Sequence, residues 1–132
     1  MARARKVCSG GWKDYHKKAK LLLEASHVCI EFELHDAGAI LAIHSAILFA
    51  DAALTRNAGL RSASENHEDI IDLLTSNFQD ASTAIRQLGT LLAAKNEAEY
   101  TGERIEVSRA RDLYKRAQRF AAWCEAYLPG TE

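Results

Sequence analysis

Residues 36–57 read DAGAILAIHSAILFADAALTRN, and this stretch decides the fold. Ile40, Ile43, Ile47, Leu48 and Leu54 recur at helical spacing with alanines between them, a pattern that predicts a helix and excludes a half-buried strand. Asp36 is placed to cap it by accepting from the free amides of the first turn. Gly59, just past Arg56-Asn57, supplies a stop. A helix this apolar around its circumference must be buried on more than one side, so it is the expected central helix. Its polar exceptions, His44 and Asp51, are seven residues apart and project from one side. Buried polar groups are costly unless partnered. The two are therefore expected to be a buried structural polar pair, with Asp51 bound by a Lys, Arg or Tyr of another helix, Lys95 or Tyr100 being the candidates, and His44 hydrogen-bonded across the bundle or lining a dimer face.

Outward from this helix the same periodicity continues. A first helix is expected from near Ser9, with Trp12, Tyr15, Ala19, Leu22, Leu23 and Ser26 on its apolar face and a pattern that extends toward Leu34. A third runs from about Asn66 to Ser76 on Ile70, Ile71, Leu73 and Leu74. A fourth begins near Asn77 and ends around Asn96 to Tyr100. The fifth begins between Glu106 and Ser108 and reaches Leu128, where Pro129-Gly130 stops it. Its stripe is Ala110, Leu113, Tyr114, Ala117, Phe120, Ala121, Cys124 and Leu128. Long amphipathic helices with short connections predict an all-α fold, an antiparallel up-and-down bundle of four or five helices. One domain over residues 1–132 is expected, with residues 1–8 a flexible basic terminus.

Bulk chemistry narrows the function classes. Seventeen Lys and Arg oppose eighteen Asp and Glu, a net charge of -1, so any contact with nucleic acid requires a local basic patch. The three cysteines lack CxxC spacing, as expected of reduced cysteines in the cytosol. His44 and Asp51 interrupt the most apolar run, and no apolar segment follows the basic Met1–Lys6. A cytoplasmic protein without a membrane segment is expected. Phosphate-loop, dinucleotide-binding and HExxH motifs are absent. His16, His27 and His35 lack the four-residue spacing of a helical metal pair, so neither metal nor cofactor is expected.

Two groups of residues are candidates for chemistry. Arg61 and His67, with five residues between them, could cleave RNA without metal. The His would act as general acid or base near neutral pH, and the Arg would hold the phosphate. Lys95, Asn96, Tyr100 and Arg104 cluster at the end of the fourth helix. With Arg61 and Asn66 they could form a phosphate-binding patch that offers an aromatic ring for stacking.

Three segments carry a family resemblance: AGAILAIHSAILFADAAL, SENHEDIIDLL and KNEAEYTGERIEVSRARDLYKRAQRFAAWCEAYL. Over roughly Trp12 to Leu128 the chain resembles a HEPN domain, a small helical module named for nucleotide binding in higher eukaryotes and prokaryotes. The resemblance implies a bundle that often forms homodimers, is often encoded beside a minimal nucleotidyltransferase, and binds or cleaves RNA. Cleaving members use an Arg and a His separated by four to six residues, before the last helix. Here the Arg61–His67 spacing matches but lies between the second and third helices, and Ser62 replaces the usual polar Asn, Asp or His. The late position reads Tyr100-Thr-Gly-Glu-Arg104, without a His. What the resemblance implies is thus an RNA- or nucleotide-binding module or nucleotidyltransferase partner. A ribonuclease toxin using Arg61 and His67 and a purely structural adaptor are the alternatives.

Overall fold

A computed structural model describes residues 3–62 and 68–130. It is an all-α bundle of helices α1 (Trp12–Glu31), α2 (His35–Ala58), α3 (Glu68–Asn77), α4 (Ser82–Tyr100) and α5 (Val107–Glu125). Two short strands, β1 (Ala4–Lys6) and β2 (Leu60–Ser62), pair antiparallel. α2 is the central element and packs on all four other helices. Its Ile43, Phe49 and Leu54 are at most 1% exposed. Burial of such side chains contributes about 1.5–3 kcal/mol each. By length and composition α2 could also cross a membrane, but the bundle buries most of it.

α1 and α2 form an antiparallel hairpin through a tight turn at Phe32–Leu34, with Glu33 in the left-handed region at φ 64°. Two buried hydroxyls tie the hairpin together. Ser26 Oγ donates to the Gly38 carbonyl at 2.6 Å, and Ser45 Oγ donates to the Ala19 carbonyl at 2.7 Å. Gly38 permits the close approach, because a Cβ there would lie 2.5 Å from Ile30 Cγ1. At the other end of α2, Gly59 adopts φ 63° and ends the helix where the sequence places the stop. α5 buries Ala110, Leu113, Ala117, Phe120, Ala121 and Cys124. Phe78, Trp123 and Tyr127 meet edge to face beside it.

Several boundaries differ from the sequence expectation. α1 starts at Trp12, after a 3-10 turn over Ser9–Gly11, since two successive glycines give the first turn little helical bias. Asp36 does not cap α2. The helix already begins at His35, and the Asp36 carboxylate reaches the α4–α5 loop instead. There it accepts from the Ile105 amide at 2.8 Å and lies 3.5 Å from Arg104. Asn77 is the last residue of α3, where its side-chain amide donates to Leu73 O at 2.7 Å, and α4 starts only at Ser82. The N-terminal segment is not a frayed tail throughout, because Ala4–Lys6 gains backbone hydrogen bonds by pairing with β2.

Candidate functional site

The polar groups of α2 do not form one pair. Seven residues place His44 and Asp51 about 10 Å apart along the helix, too far for direct contact. Each finds a partner elsewhere. His44 Nε2 is hydrogen-bonded to Glu99 Oε1 on α4. Lys95, one turn earlier on α4, donates to Glu99 Oε2 at 2.8 Å and to the Tyr100 hydroxyl at 3.3 Å. Its ammonium also lies 5.1 Å from the centre of the Tyr100 ring. Burial raises the pKa of Glu99, but hydrogen bonds from Lys95 and His44 more than offset it and leave the carboxyl below its ordinary value. Hydrogen bonding to Glu99 raises Lys95. The imidazole is half exposed while Glu99 and Lys95 are largely covered.

Asp51 lies near the opposite end of α2. Burial raises its pKa to about 6, against the opposing influence of the Arg61 charge and a hydrogen bond from the Ser62 backbone. Its Oδ1 has no hydrogen-bond partner among the described residues. Neither Lys95 nor Tyr100 serves it, since both are engaged with each other and Lys95 with Glu99.

Arg61 sits in β2, directly across from Arg5 of β1. Its guanidinium is 3.5 Å from the Tyr15 hydroxyl and 6.0 Å from that ring's centre. Asn66 and His67 lie outside the described residues, so their geometry relative to Arg61 is not part of the site. At the other end of the bundle, Asn96 and Tyr100 are exposed, and Arg104 is 86% exposed beside Asp36. His44, which meets Glu99 of this group, stands about 20 Å along α2 from the end of the helix that leads into Arg61. Arg61 therefore does not join Lys95, Asn96, Tyr100 and Arg104 in one patch. That end also carries Glu97, Glu99, Glu103 and Glu106. Glu97 holds Arg109 with both of its carboxylate oxygens.

Two side-chain contacts have partners that periodicity did not single out. His16 is buried between Trp12 and Phe49 and bonds Glu125 of α5 at 2.7 Å. Glu99 was visible only as the i+4 neighbour of Lys95, a spacing that pairs opposite charges on a helix. Among the described residues, no group of three His, Cys, Asp or Glu is placed to hold a metal ion.

No family model matches the chain, and no curated protein matches it in sequence. The functional reading therefore rests on the surfaces of the bundle.

The outer face of α1 stands out among these surfaces. Leu21 is 57% exposed, Val28 48% and Phe32 74%, and Leu34 follows at 57%. Leu22, Ala25 and Cys29 lie half-buried between them. The steps 21, 25, 28, 32 alternate four and three residues, the average 3.5-residue period of a helix that packs along a second helix.

Proposed function

We propose that this chain is a HEPN-like, cytoplasmic helical module that works by binding, and that its first partner is a second copy of itself packed antiparallel along α1. The observation that carries this reading is the exposed Leu21–Val28–Phe32 stripe. Charge supports the antiparallel sense. The first half of α1 carries Lys13, Lys17, Lys18 and Lys20 against the single Asp14, while its last half and the following turn carry Glu24, Glu31 and Glu33. An antiparallel crossing sets the lysine half of one copy beside the glutamate half of the other. Such complementarity favours the pairing and fixes its direction. A nucleotidyltransferase-type partner would then meet the assembled dimer, as the family resemblance implies.

The deciding measurement is sedimentation equilibrium of the wild type and of Phe32→Glu. The wild type is expected to be dimeric at micromolar concentration and the variant monomeric. The melting temperature of the monomeric unit should not fall, because Phe32 is exposed within one copy. A monomeric wild type, or a Phe32→Glu dimer of undiminished stability, refutes the proposal.

The ribonuclease alternative finds less support. Arg61 leans on Tyr15 and faces the Asp51 charge, so it is partly engaged within the fold. RNA cleavage that disappears in His67→Ala would reverse that preference.

A further inference from the structure

A cavity of about 150 Å³ opens in the seam between α1 and α5. Its lining is mostly apolar and includes the buried Ile30 side chain. Two rings also line it, His27 from α1 and the half-buried Tyr114 from α5. Their centres are 5.2 Å apart and their planes are tilted by 36°. Arg111 and Lys115, one turn apart on α5, border the cavity together with Glu31 of α1, and all three are exposed. Cations four residues apart on a helix repel one another. Elsewhere on α5 such charges are answered, since Glu97 holds Arg109 and Asp112 holds Arg116. Arg111 and Lys115 are different. Among the described residues neither forms an ion pair, and Glu31 forms none although it borders the same cavity. Two formal cations against one carboxylate leave one uncompensated positive charge at the cavity mouth.

We infer that this cavity is a binding site for a small aromatic carboxylate. Each part of the lining selects one feature of such a ligand. The volume suits a single ring, since an apolar protein cavity of about this size holds benzene. The tilted rings of His27 and Tyr114 favour a flat aromatic neighbour, which can meet them offset or edge to face. Arg111 carries a planar fork of donors that matches a carboxylate, and Lys115 adds a point charge. Glu31 sets the charge of the ligand. One negative charge balances the site, and the Glu31 carboxylate opposes a second, which disfavours a phosphate dianion. A nucleotide, with its base, sugar and phosphate, exceeds a cavity of one-ring size. The stripe residues Leu21, Val28 and Phe32 do not line the cavity, so the inference does not rest on the α1 dimer.

The test is a titration of the isotope-labelled full chain with sodium benzoate, followed by amide chemical shifts at constant ionic strength. Benzoate should shift the amides of α1 and α5 around the cavity and saturate with a dissociation constant of about 0.1–1 mM, the range open to a ligand of so few atoms. Benzamide has the same shape without the charge and should bind at least about tenfold more weakly, the scale of a lost charge-assisted hydrogen bond. Arg111→Gln should weaken benzoate by a similar factor. Glu31→Gln should tighten it by about two- to fivefold, the scale of an exposed charge–charge interaction. Circular dichroism and melting temperature of both variants should match the wild type, since both side chains are exposed. Parallel titrations use cyclohexanecarboxylate and phenyl phosphate, and both should bind more weakly than benzoate. Absence of saturable shifts around the cavity overturns the inference. Equal binding of benzamide, or unchanged affinity in Arg111→Gln, overturns the carboxylate contact, and weaker binding by Glu31→Gln overturns the charge argument. Cyclohexanecarboxylate binding as tightly as benzoate overturns the aromatic assignment, and tighter binding of phenyl phosphate overturns the carboxylate class.

Discussion

Alanine in place of glycine should have opposite effects in α2 and α4. Within a helix, Gly→Ala ordinarily stabilises by about 0.5–1 kcal/mol, because it restricts the unfolded chain and improves helix propensity. Gly89, in α4, has nothing within 4 Å of the position its Cβ would take, so Gly89→Ala should show that gain. At Gly38 the new Cβ would lie 2.5 Å from Ile30 Cγ1, 3.2 Å from Ile30 Cδ1 and 3.1 Å from the Ser26 carbonyl oxygen. Carbon atoms in good contact sit about 3.5–4.0 Å apart, so the nearest contact is short by about 1 Å. Ile30 is 3% exposed and cannot swing into solvent. The Ser26 oxygen is backbone, fixed within α1. Overpacking of this kind costs about 1–3 kcal/mol. Against the propensity gain, Gly38→Ala should destabilise by about 1 kcal/mol. The two substitutions should therefore differ by about 2 kcal/mol, or several degrees of melting temperature for a domain of this size. Urea unfolding of both variants, with slopes matching the wild type, measures this directly. Adding Ile30→Ala to Gly38→Ala should recover about 1 kcal/mol relative to additivity, since it removes both clashing carbons. If Gly38→Ala stabilises as much as Gly89→Ala, or if the double variant is additive, the close α1–α2 approach is not what excludes a side chain there.

Two further predictions concern buried charge. Asp51 has a folded pKa of about 6, above its ordinary 3.8, so the folded state binds its proton more tightly than the unfolded state. Its contribution to stability is greatest below about pH 4 and is lost as pH rises through about 6. Asp51→Asn should therefore flatten stability between pH 4 and 6 and raise it near neutral pH by up to about 3 kcal/mol, as read by urea unfolding across pH. An unchanged pH profile would show that Asp51 is solvated. Glu99 has the opposite sign, because its folded pKa is lowered. Its contribution is present above the ordinary carboxylate range and is lost as pH falls through the folded value. Glu99→Gln should cost about 1 kcal/mol near neutral pH, with the deficit shrinking in acid. A deficit constant with pH would mean that packing, rather than charge, is what the substitution removes.

The helices were legible because burial imposes a period. The apolar circumference of α2 and the stripe of α5 define central and flanking positions without any knowledge of partners. Gly59 was legible for a similar reason, since a residue that adopts the left-handed region easily is a local signal. The polar partners were not. Asp36 looks like a cap in sequence, but its carboxylate reaches 69 residues along the chain to the Ile105 amide. His44 bonds across the bundle, as its place on the helix suggested, but which residue answers it was not legible, and Asp51 meets β2 rather than Lys95 or Tyr100. Contacts of that range depend on how helices are laid beside one another, and periodicity within one segment carries no information about it. β1 was illegible for a further reason. Three residues are too few for alternation to register, and its pairing depends on a partner strand more than fifty residues away.

That pairing changes what the Arg61 segment means. Read as sequence, Arg61 and His67 form an Arg–His motif whose chemistry depends on the two side chains meeting. In the fold, Arg61 belongs to a ribbon fixed by Gly59, Val7, Asp51 and Tyr15, and the residue facing it is another arginine. Neither of two opposed arginines exchanges a proton near neutral pH, so the ribbon supplies no general acid or base. A general acid or base would have to come from His67. Binding and cleavage are thus separable by residue. If the chain cleaves RNA, Arg61→Gln should weaken cleavage through the hold on substrate, and His67→Ala should abolish it. If Arg61→Gln leaves any such cleavage unchanged, the Arg–His spacing of the sequence carries no catalytic meaning in the fold.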